Sequence, residues 1–400
     1  MPANSYLCRD IEERRQMSTG NTIEIKKVET KKDLRTFIDF HHELYKGNPY
    51  DAPNLYMDDI NTFSKEKNAA FEFCQAEYYL AYKEGKVVGR VAAIINRRAN
   101  EKWNRQTVRF GWIDFIDDVE VSKALLAAVE EYGRRNGMKE MCGPLGFTDM
   151  DPEGMLTWGF DQLGTMATIY NYPYYPEHIE KIGGFEKDND YVEYKLYIPK
   201  ETPEKYTKIA DMVQKRYNLH VKKFDRKDVY ERGYGIEMFK VINETFKNLY
   251  GYSEMTDRQI MQYLDMWIPM VDYNLVVGIE DWNDNKRLVG IGITVPSLAR
   301  AVQKCHKGRL LPFGWWHVIR ALKFHKTKIV DLMLIGILPE YRAKGANALM
   351  FAELIPWYQK YGFEWGETNV EMETNENVQK QWAALNPIHH QSRRCYKKTI

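Results

Sequence analysis

A short basic loop with Arg342, Lys344 and Gly345 lies between a strand pattern and a helix pattern, and its residues are suited to bind a ligand. Residues 329–337 before it are apolar and rich in β-branched side chains, which predicts a buried strand. Apolar residues then recur near helical spacing over 349–357, which predicts a helix. Because a helix N-terminus presents free N–H groups and a positive dipole end, the loop predicts a site for an anion such as a phosphate. The alternative is a purely structural turn, since a strand, a glycine and a helix often follow one another.

Three carboxylates near this loop are the candidates for proton transfer. Asp331 lies in the predicted strand, eleven positions before Arg342, and Glu371 and Glu373 fall in or just after the next predicted strand. The period-two rule for strands predicts that Glu371 and Glu373 share one face. A buried carboxylate with a raised pKa can accept a proton from an amine. The alternatives are structural: a solvent-exposed strand end, which we favour for Asp331, and a solvated acidic face for the two glutamates.

The composition is that of a folded globular protein. The chain has 400 residues, of which 44% are hydrophobic and 28% are charged, and its net charge is +1. The length favours two domains, and the near-neutral charge argues against a general nucleic-acid binder. Five widely spaced cysteines without metal-ligand spacing are typical of a reducing compartment. Residues 1–20 are polar rather than like a signal peptide, and no apolar run reaches about 18 residues, so we expect a cytoplasmic protein with a flexible tail.

The predicted elements follow one plan twice along the chain. Residues 21–198 are read as strand, helix, hairpin, strand, helix, strand, helix, strand; a polar, proline-bounded linker follows at 199–205, and residues 206–400 repeat the order. This predicts an α+β fold of the α/β type with a mixed sheet, in two tandem units. The loop at 117–120, which corresponds to the basic loop, has three acids and no glycine and would repel a phosphate. We therefore predict a structural or substrate-side role for the first unit.

The segment 297–328 interrupts the second repeat with a basic, aromatic stretch. From residue 285 to 330 there is no Asp or Glu, while ten Lys or Arg residues occur there. Trp315, Trp316 and Phe324 are among the apolar residues between them. A basic, tryptophan-bearing amphipathic segment predicts peripheral contact with an anionic membrane, or contact with an acyl-CoA. The alternative is a packed insert whose basic face lies in solvent.

Residues 337–346 resemble the acyl-CoA pyrophosphate loop of the GNAT N-acyltransferase superfamily. That loop reads hydrophobic-x-Pro-Glu-Tyr-Arg and then a glycine, and here Asn347 stands where a second small residue is usual. Together with residues 154–161, 170–175 and 308–312, the loop makes the chain from residue 22 onward similar to a tandem GNAT family. This family includes bacterial ceramide synthase-like acyltransferases.

The resemblance implies a fold and a chemistry. The fold is two tandem GNAT-like acyl-CoA N-acyltransferase domains, of which the first is degenerate and the second carries the acyl-CoA loop. The chemistry is direct transfer of an acyl or acetyl group from acyl-CoA or acetyl-CoA, without a metal, to a small or lipid-like amine such as a sphingoid base. The residues implied to contact the co-substrate are Ile335, Ile337, Arg342, Ala343, Lys344, Gly345, Ala346, Asn347 and Asn375. The catalytic candidates are Asp331, Glu371 and Glu373, and no nucleic acid is expected as a partner.

Trp382 departs from the family pattern. Many members have a tyrosine there that protonates the leaving thiolate, and an indole cannot replace it. Two other functions stay open. One is an aminoacyl-tRNA-dependent transferase, which the tandem fold itself allows and the basic loop argues against. The other is a non-catalytic protein that binds CoA or an acyl chain, which the missing tyrosine and the acidic loop at 117–118 favour. In the first half, Tyr174, Tyr175 and His178 are either cleft residues or core aromatics. Asn375 is either a co-substrate contact or a helix N-cap.

Overall fold

The computed structural model describes residues 22–400. The flexible tail predicted for residues 1–20 lies outside this range. Within the range, the strands are β1 (Glu24–Lys27), β2 (Cys74–Lys83), β3 (Lys86–Asn96), β4 (Thr107–Phe115), β5 (Glu140–Gly143), β6 (Met155–Trp158), β7 (Glu186–Tyr197), β8 (Leu219–Lys222), β9 (Val276–Asp281), β10 (Arg287–Pro296), β11 (Ile329–Ile337), β12 (Trp365–Thr368), β13 (Glu371–Met372) and β14 (Ile388–Thr399).

The helices surround these strands. In the described residues they are Lys31–Leu44, Tyr56–Phe63, Arg97–Lys102, Val119–Arg135, Tyr174–Ile182, Glu204–Tyr217, Arg226–Tyr230, Tyr234–Phe246, Asp257–Trp267, Ala299–Val302, Gly314–Leu322, Pro339–Arg342, Asn347–Tyr361 and Glu376–Gln381. Short 3-10 turns are Ala69–Glu72, Ile268–Met270, Tyr273–Leu275, His306–Gly308 and Trp382–Leu385.

All these strands form one mixed sheet. Its order is β1-β2-β3-β4-β5-β14-β7-β12-β11-β10-β9-β8, with β6 added on β14 and β13 on β7. The pairs β4–β5 and β11–β12 are parallel, and the hairpins β2–β3 and β9–β10 are antiparallel. This mixed sheet with helices packed on it confirms the predicted α+β fold class. The predicted domain bounds remain a prediction, because the sheet runs through both halves.

The two halves exchange strands at the centre of the sheet. β14, which comes last in the chain, lies between β5 and β7 of the first half, with Tyr396 opposite Gly143 and Arg393 opposite Tyr191. In return, β7 pairs with β12 of the second half, and Tyr197 is opposite Trp365. Each half therefore completes its sheet with a strand of the other half.

Hydrophobic clusters hold the helices against the sheet, and a buried ion pair joins the exchanged strands. In the second half the cluster includes Phe239, Ile291, Val330 and Leu354, and in the first half it includes Ile95, Phe110, Leu125 and Met141. Burial of each such side chain contributes roughly 1.5–3 kcal/mol. Arg393 on β14 and Glu193 on β7 are both buried and form an ion pair. Loss of one partner of such a pair costs roughly 3–5 kcal/mol, because it leaves an uncompensated charge.

The insert 297–328 contains two short helices, Ala299–Val302 and Gly314–Leu322. It packs on the rest of the chain through a small apolar cluster that includes Val302, Val318 and Leu163. The large apolar side chains that it leaves exposed are Leu311, Phe313, Trp315, Trp316, Ile319 and Phe324. In residues 22–400, no helix combines the length and the apolar character that a bilayer crossing requires.

Candidate active site

Strands β11 and β12 pair over only part of their length. Their parallel register runs from Ile329 opposite Trp365 to Leu332 opposite Thr368, where β12 ends, while β11 continues to Ile337. Within residues 22–400, the remainder of β11 is paired with β10 alone. The two strands therefore separate after Leu332 and leave an opening between them.

A β-bulge lies at the start of this opening. Leu332 of β11 is opposite Thr294 of β10, and Leu334 is opposite Ile293. Met333 therefore has no opposite residue on β10 and is the extra residue of the bulge. The extra residue of a bulge is left out of the hydrogen-bond ladder. The bulge therefore interrupts the β10–β11 ladder at the point where β11 and β12 separate.

A cavity of about 320 Å³ continues from the opening into the molecule. Residues 332–335 of β11 and residues 368–372 line it at this end. Farther in, helices Tyr234–Phe246 and Asp257–Trp267 provide an apolar wall. Side chains of this wall are Met238, Phe239, Phe246, Leu264, Met266 and Trp267. The cavity therefore joins a polar opening to a space suited to a hydrocarbon chain.

Glu371 and Trp382 form a pair in the wall of the cavity. The indole Nε1 donates a hydrogen bond to Glu371 Oε1 over 2.7 Å. The other carboxylate oxygen, Oε2, is buried and has no hydrogen-bond partner among the described residues. Burial raises the pKa of Glu371 to about 7, and the hydrogen bond from Trp382 opposes part of this rise. A carboxylate that exchanges a proton near neutral pH thus borders the cavity.

Glu373, in contrast, lies outside the cavity. Strand β13 consists of Glu371 and Met372 only, and the exposed Glu373 follows in a turn, where its carboxylate pairs with Lys187 at 3.1 Å. The alternation of a strand does not extend to Glu373, because the strand ends one residue earlier. The prediction that Glu371 and Glu373 share one face is therefore wrong.

Asp331 is buried in the sheet rather than exposed at a strand end. Its side chain is only 1% exposed, and it is opposite Val295 on β10 and Glu367 on β12. Burial and the neighbouring Glu367 raise the pKa of Asp331 well above its ordinary value. The solvent-exposed interpretation is wrong, because strands cover β11 on both sides at this position. Among the described residues that line the cavity, Asp331 does not occur.

The loop after β11 turns at Gly345. Gly345 has a φ of +78°, in the left-handed region that favours glycine. A Cβ atom added there would lie 3.1 Å from Cγ2 of Ile209. Helix Asn347–Tyr361 begins two residues later, so the positive end of its dipole lies beside the loop.

The two basic side chains of this loop are partly held by neighbours. Nε of Arg342 donates to the carbonyl oxygen of Ile337 over 3.0 Å, and a second guanidinium nitrogen donates to the carbonyl oxygen of Thr245 over 3.3 Å. The ammonium group of Lys344 lies 4.0 Å from the centre of the Tyr341 ring. These contacts place both positive charges next to the helix N-terminus, and the binding roles of residues 342–347 stay a prediction.

Asn375 lines the cavity together with Ile335. It precedes helix Glu376–Gln381, yet its side chain makes no capping hydrogen bond within the part of the chain that the structure describes. Asn375 therefore occupies the N-cap position without a side-chain cap, and its contact with a co-substrate stays a prediction. Ile337 is opposite Gly290, near the end of β11, and belongs to the approach to the loop.

The corresponding opening in the first half is closed. β4 pairs with β5 only from Thr107 to Arg109. Beyond this point the backbone N–H of Leu145 donates to the carbonyl oxygen of Phe110 over 2.9 Å. A Cβ atom on Gly111 would lie 2.4 Å from the carbonyl oxygen of Leu145. The loop after β5 thus contacts β4 directly and leaves no room for a ligand between the two strands.

Tyr174, Tyr175 and His178 belong to the core of the first half. The hydroxyl of Tyr174 donates to the carbonyl oxygen of Phe115 over 2.7 Å, and the hydroxyl of Tyr175 accepts from the Phe115 N–H over 3.1 Å. The ring of His178 stacks on the Phe115 ring. Of the two interpretations left open for these residues, the structure therefore supports core aromatics.

Sequence reasoning missed a set of carboxylates that line the same cavity from the first half. They are Asp58, Asp59, Asp149, Asp151 and Glu153. Burial raises the pKa of Asp149 to about 7 and that of Asp151 to about 6. None of the described residues that line the cavity is a Lys, Arg or His. The only signal in the sequence is the density of acids over 149–153, which by itself reads as an ordinary solvated loop.

Comparisons with known proteins identify relatives of similar length. No protein-family profile matches the chain. Bacterial ceramide synthase from Caulobacter vibrioides (strain NA1000 / CB15N) is 23% identical over 396 residues, which cover 96% of this chain and 99% of the relative. Protein YghO from Escherichia coli (strain K12) is 26% identical over 317 residues, which cover 78% of each chain.

Solved structures decide the fold. A tandem GNAT protein from the clavulanic acid biosynthesis pathway, without AcCoA, matches 94% of this chain and 98% of its own with a TM-score of 0.54, at 11% identity. The chain has the tandem GNAT fold. A GCN5-related glucosamine N-acetyltransferase region in a fungal multi-domain GH3 β-N-acetylglucosaminidase matches 94% of this chain and 38% of its own with a TM-score of 0.51, at 12% identity.

Within this tandem GNAT fold, the structure brings some predicted site residues together and separates others. Ile335, Glu371 and Asn375 line one cavity, and the loop at 342–347 follows the strand that opens it. Asp331 and Glu373 are not among its lining residues. The predicted similarity to tandem GNAT N-acyltransferases is confirmed as a likeness of fold and of sequence, and the roles of single residues stay predictions.

Proposed function

We propose that this tandem GNAT protein is an acyl-CoA-dependent N-acyltransferase. The observation that carries the proposal is the opening between β11 and β12, which begins at the Met333 bulge and leads into a largely apolar cavity. An extended thioester-bearing arm suits this opening, because it can bond to the free edge of β11 where a neighbouring strand is missing.

The co-substrate is acyl-CoA or acetyl-CoA, and the protein has groups suited to its pyrophosphate and to the arm that carries the thioester. Its pyrophosphate would bind at residues 342–347, where a glycine permits close approach and Arg342 and Lys344 add positive charge to a helix N-terminus. Ile335 and Asn375 would contact the arm that leads from the loop into the cavity.

The reaction is direct transfer, and its atoms balance. The amine nitrogen forms a bond to the thioester carbonyl carbon, and backbone N–H groups near Met333 are placed to donate to the oxyanion that results. Glu371 accepts a proton from the nitrogen, because its Oε2 has no hydrogen-bond partner within residues 22–400 and it borders the cavity. The C–S bond breaks, and the thiolate takes up the proton that Glu371 accepted. The products are an amide and CoA with a free thiol.

The acceptor that suits the cavity is a lipid-like amine. The apolar wall that contains Met238, Phe239 and Phe246 is larger than an acetyl group needs and suits an alkyl chain. The relative named bacterial ceramide synthase, which matches nearly the whole chain, supports a sphingoid base as the acceptor. A small amine with an acetyl donor is the competing choice, and product analysis separates the two.

The insert is suited to hold the protein against an anionic membrane. Its exposed apolar side chains include Phe313, Trp315 and Trp316. Arg320, Lys323 and Lys326 form no ion pair with any described residue, and they are exposed beside these aromatics. Aromatic side chains at the headgroup level with unpaired basic charges around them bind anionic lipid surfaces peripherally.

A product assay tests the proposed activity. The purified protein is incubated with palmitoyl-CoA or acetyl-CoA and with sphinganine or ethanolamine, and free thiol and amide are measured together. We expect amide and free CoA in equal amounts with palmitoyl-CoA and sphinganine. Thiol release without amide, or no reaction with any pair, would contradict the proposal.

A further inference from the structure

In the first-half loop 148–153, Asp151 accepts a hydrogen bond from the Thr148 N–H over 3.0 Å, whereas Asp149 and Glu153 have buried carboxylate oxygens without a hydrogen-bond partner among the described residues. Glu153 is only 7% exposed, and its Oε1 has no hydrogen-bond partner in the described part of the chain. Both carboxylate oxygens of Asp149 are also buried, and they accept no hydrogen bond from residues 22–400. Both side chains line the cavity. An unpaired buried carboxylate is costly, so these groups point to a ligand.

The loop is held firmly in place. Its residues follow the segment that closes the first-half opening, and Leu145 and Glu153 form an isolated β-bridge across it. The guanidinium group of Arg109 donates to the carbonyl oxygens of Gly146 over 3.1 Å and of Gly251 over 3.0 Å, which ties this loop to the second half. Met150, between the acids, packs against the core of the second half. The acids are therefore fixed in the cavity wall.

These acids lie close to the proposed transfer site. Tyr191 of β7 is next to Glu153 and is opposite Met372 of β13, and the following residue of β7, Val192, is opposite Glu371. Glu153 and Glu371 therefore approach the same cavity from neighbouring segments of chain. The loop that fills the first half's own cleft thus forms part of the second half's site.

The chemistry of the cavity selects one class of ligand. Its described lining has six carboxylates and, as noted above, lacks a basic side chain, while most of the remaining wall is apolar. An anionic ligand would be repelled by the acidic end, and a neutral lipid would leave its carboxylates unpaired. A cationic head with a hydrocarbon chain matches both parts.

We propose that Asp149 and Glu153 bind the ammonium group of a long-chain primary amine. This inference rests on the proposed function, because it assigns the acceptor's head group to the first half and the thioester to the second. The two halves then contribute to a single active site, and the first half has a substrate-binding role.

Binding of a simple amphiphile tests the assignment without any turnover. The affinity for decylamine is measured by titration calorimetry and compared with that for decanol, which has the same chain and no charge. The proteins are the wild type, the double variant Asp149→Asn with Glu153→Gln, and a control, Glu254→Gln, whose carboxylate pairs with Lys102 outside the cavity. Palmitoyl-CoA affinity is measured for each protein in parallel.

We expect the wild type to prefer decylamine over decanol by about tenfold or more, and the double variant to lose that preference. The control variant keeps this preference, and palmitoyl-CoA affinity stays the same in all three proteins.

An equal loss of affinity for decylamine and decanol, or an unchanged preference in a folded double variant, would overturn the assignment. If the double variant does not fold, the wild type still decides: equal affinity for the amine and the alcohol rejects an ammonium site. If the wild type prefers decylamine but binds no acyl-CoA, the proposed function fails while the ammonium site stands.

Discussion

The indole N–H of Trp382 donates a hydrogen bond of 2.7 Å to one oxygen of Glu371, and the other oxygen of Glu371 is unpaired among residues 22–400. The position at which the family resemblance predicts a tyrosine acid is therefore occupied by a residue that hydrogen-bonds a carboxylate. Burial raises the pKa of this carboxylate to about 7. Trp382 thus acts as a positioning residue for the proposed base.

Replacement of Glu371 by Gln is expected to lower kcat by about 10²–10⁴-fold, because an amide cannot accept the proton of the amine. Palmitoyl-CoA affinity should stay unchanged. Glu373→Gln is the matched control, since Glu373 lies on the surface two residues away and pairs with Lys187. Steady-state kinetics and binding titrations check both variants. Equal activity of Glu371→Gln and wild type would remove Glu371 from the mechanism.

The rate of the wild type is expected to rise with pH through about 7, because the base must be deprotonated and burial raises the pKa of Glu371 to this range. Below this pH the carboxyl holds its proton and cannot accept another. A pH–rate profile at saturating substrates measures this rise. In Glu371→Gln the residual rate should lose this step, and a profile of identical shape would assign the titration to another group.

Trp382→Phe is expected to shift the pH–rate profile to higher pH. The indole hydrogen bond favours the charged carboxylate, so its loss leaves a buried Glu371 with a still higher pKa. The effect of Trp382→Phe on the profile is measured both in the wild type and in Glu371→Gln. In Glu371→Gln the same Trp382→Phe change should produce no shift, and a shift there would mean that Trp382 acts on a different group.

Gly345→Asp is expected to abolish CoA binding by placing a negative charge in the proposed pyrophosphate loop. The left-handed backbone also costs roughly 1–2 kcal/mol for a residue other than glycine. The control variant Gly362→Asp has the same backbone cost, because Gly362 has a φ of +75° at the other end of the same helix. A Cβ atom added at Gly362 meets no described atom within 4 Å.

Thermal shifts with CoA, acetyl-CoA and palmitoyl-CoA measure the effect of this change. A ligand at about 100 times its Kd stabilises the protein by roughly 2.7 kcal/mol. Wild type and Gly362→Asp should show this stabilisation and Gly345→Asp should not. Retained stabilisation in Gly345→Asp would exclude the loop as the pyrophosphate site.

Reversal of the three unpaired charges Arg320, Lys323 and Lys326 to Glu is expected to release the protein from anionic vesicles. Each basic residue near such a surface contributes about 1 kcal/mol, so the triple change should lower the bound fraction by well over about tenfold. Vesicle flotation measures this fraction. A control of equal net charge reverses the exposed residues Lys205, Lys208 and Lys215 on helix Glu204–Tyr217. Similar losses in both variants would show only a general charge effect.

The local part of the site could be predicted because its signals are local. The strand at 329–337, the turn at Gly345 and the following helix depend on residues that are close in sequence. Hydrophobic periodicity and glycine conformation report such units directly. The order of strand and helix patterns likewise predicted that Glu371 lies at the end of a strand, shortly before helix Glu376–Gln381.

The non-local part could not be predicted from the same patterns. Glu373 was misplaced because β13 has two residues, and no periodicity marks the end of so short a strand. The acids Asp149 and Glu153 resemble a solvated loop in sequence, and only the contact between the halves buries them. The neighbours of β14 are far away in the chain, so element order alone could not assign them.

The position of β14 between β5 and β7 has a consequence for the nascent chain. β5 and β7 leave the ribosome long before residues 388–399, since nearly the whole second half is synthesised in between. At translation rates of 5–20 residues per second, this delay is roughly ten to forty seconds. During that time β5 and β7 have free edges, which are templates for pairing with other chains. The edges of β5 and β7 are therefore covered only after residues 388–399 have been synthesised and β14 has paired between the two strands.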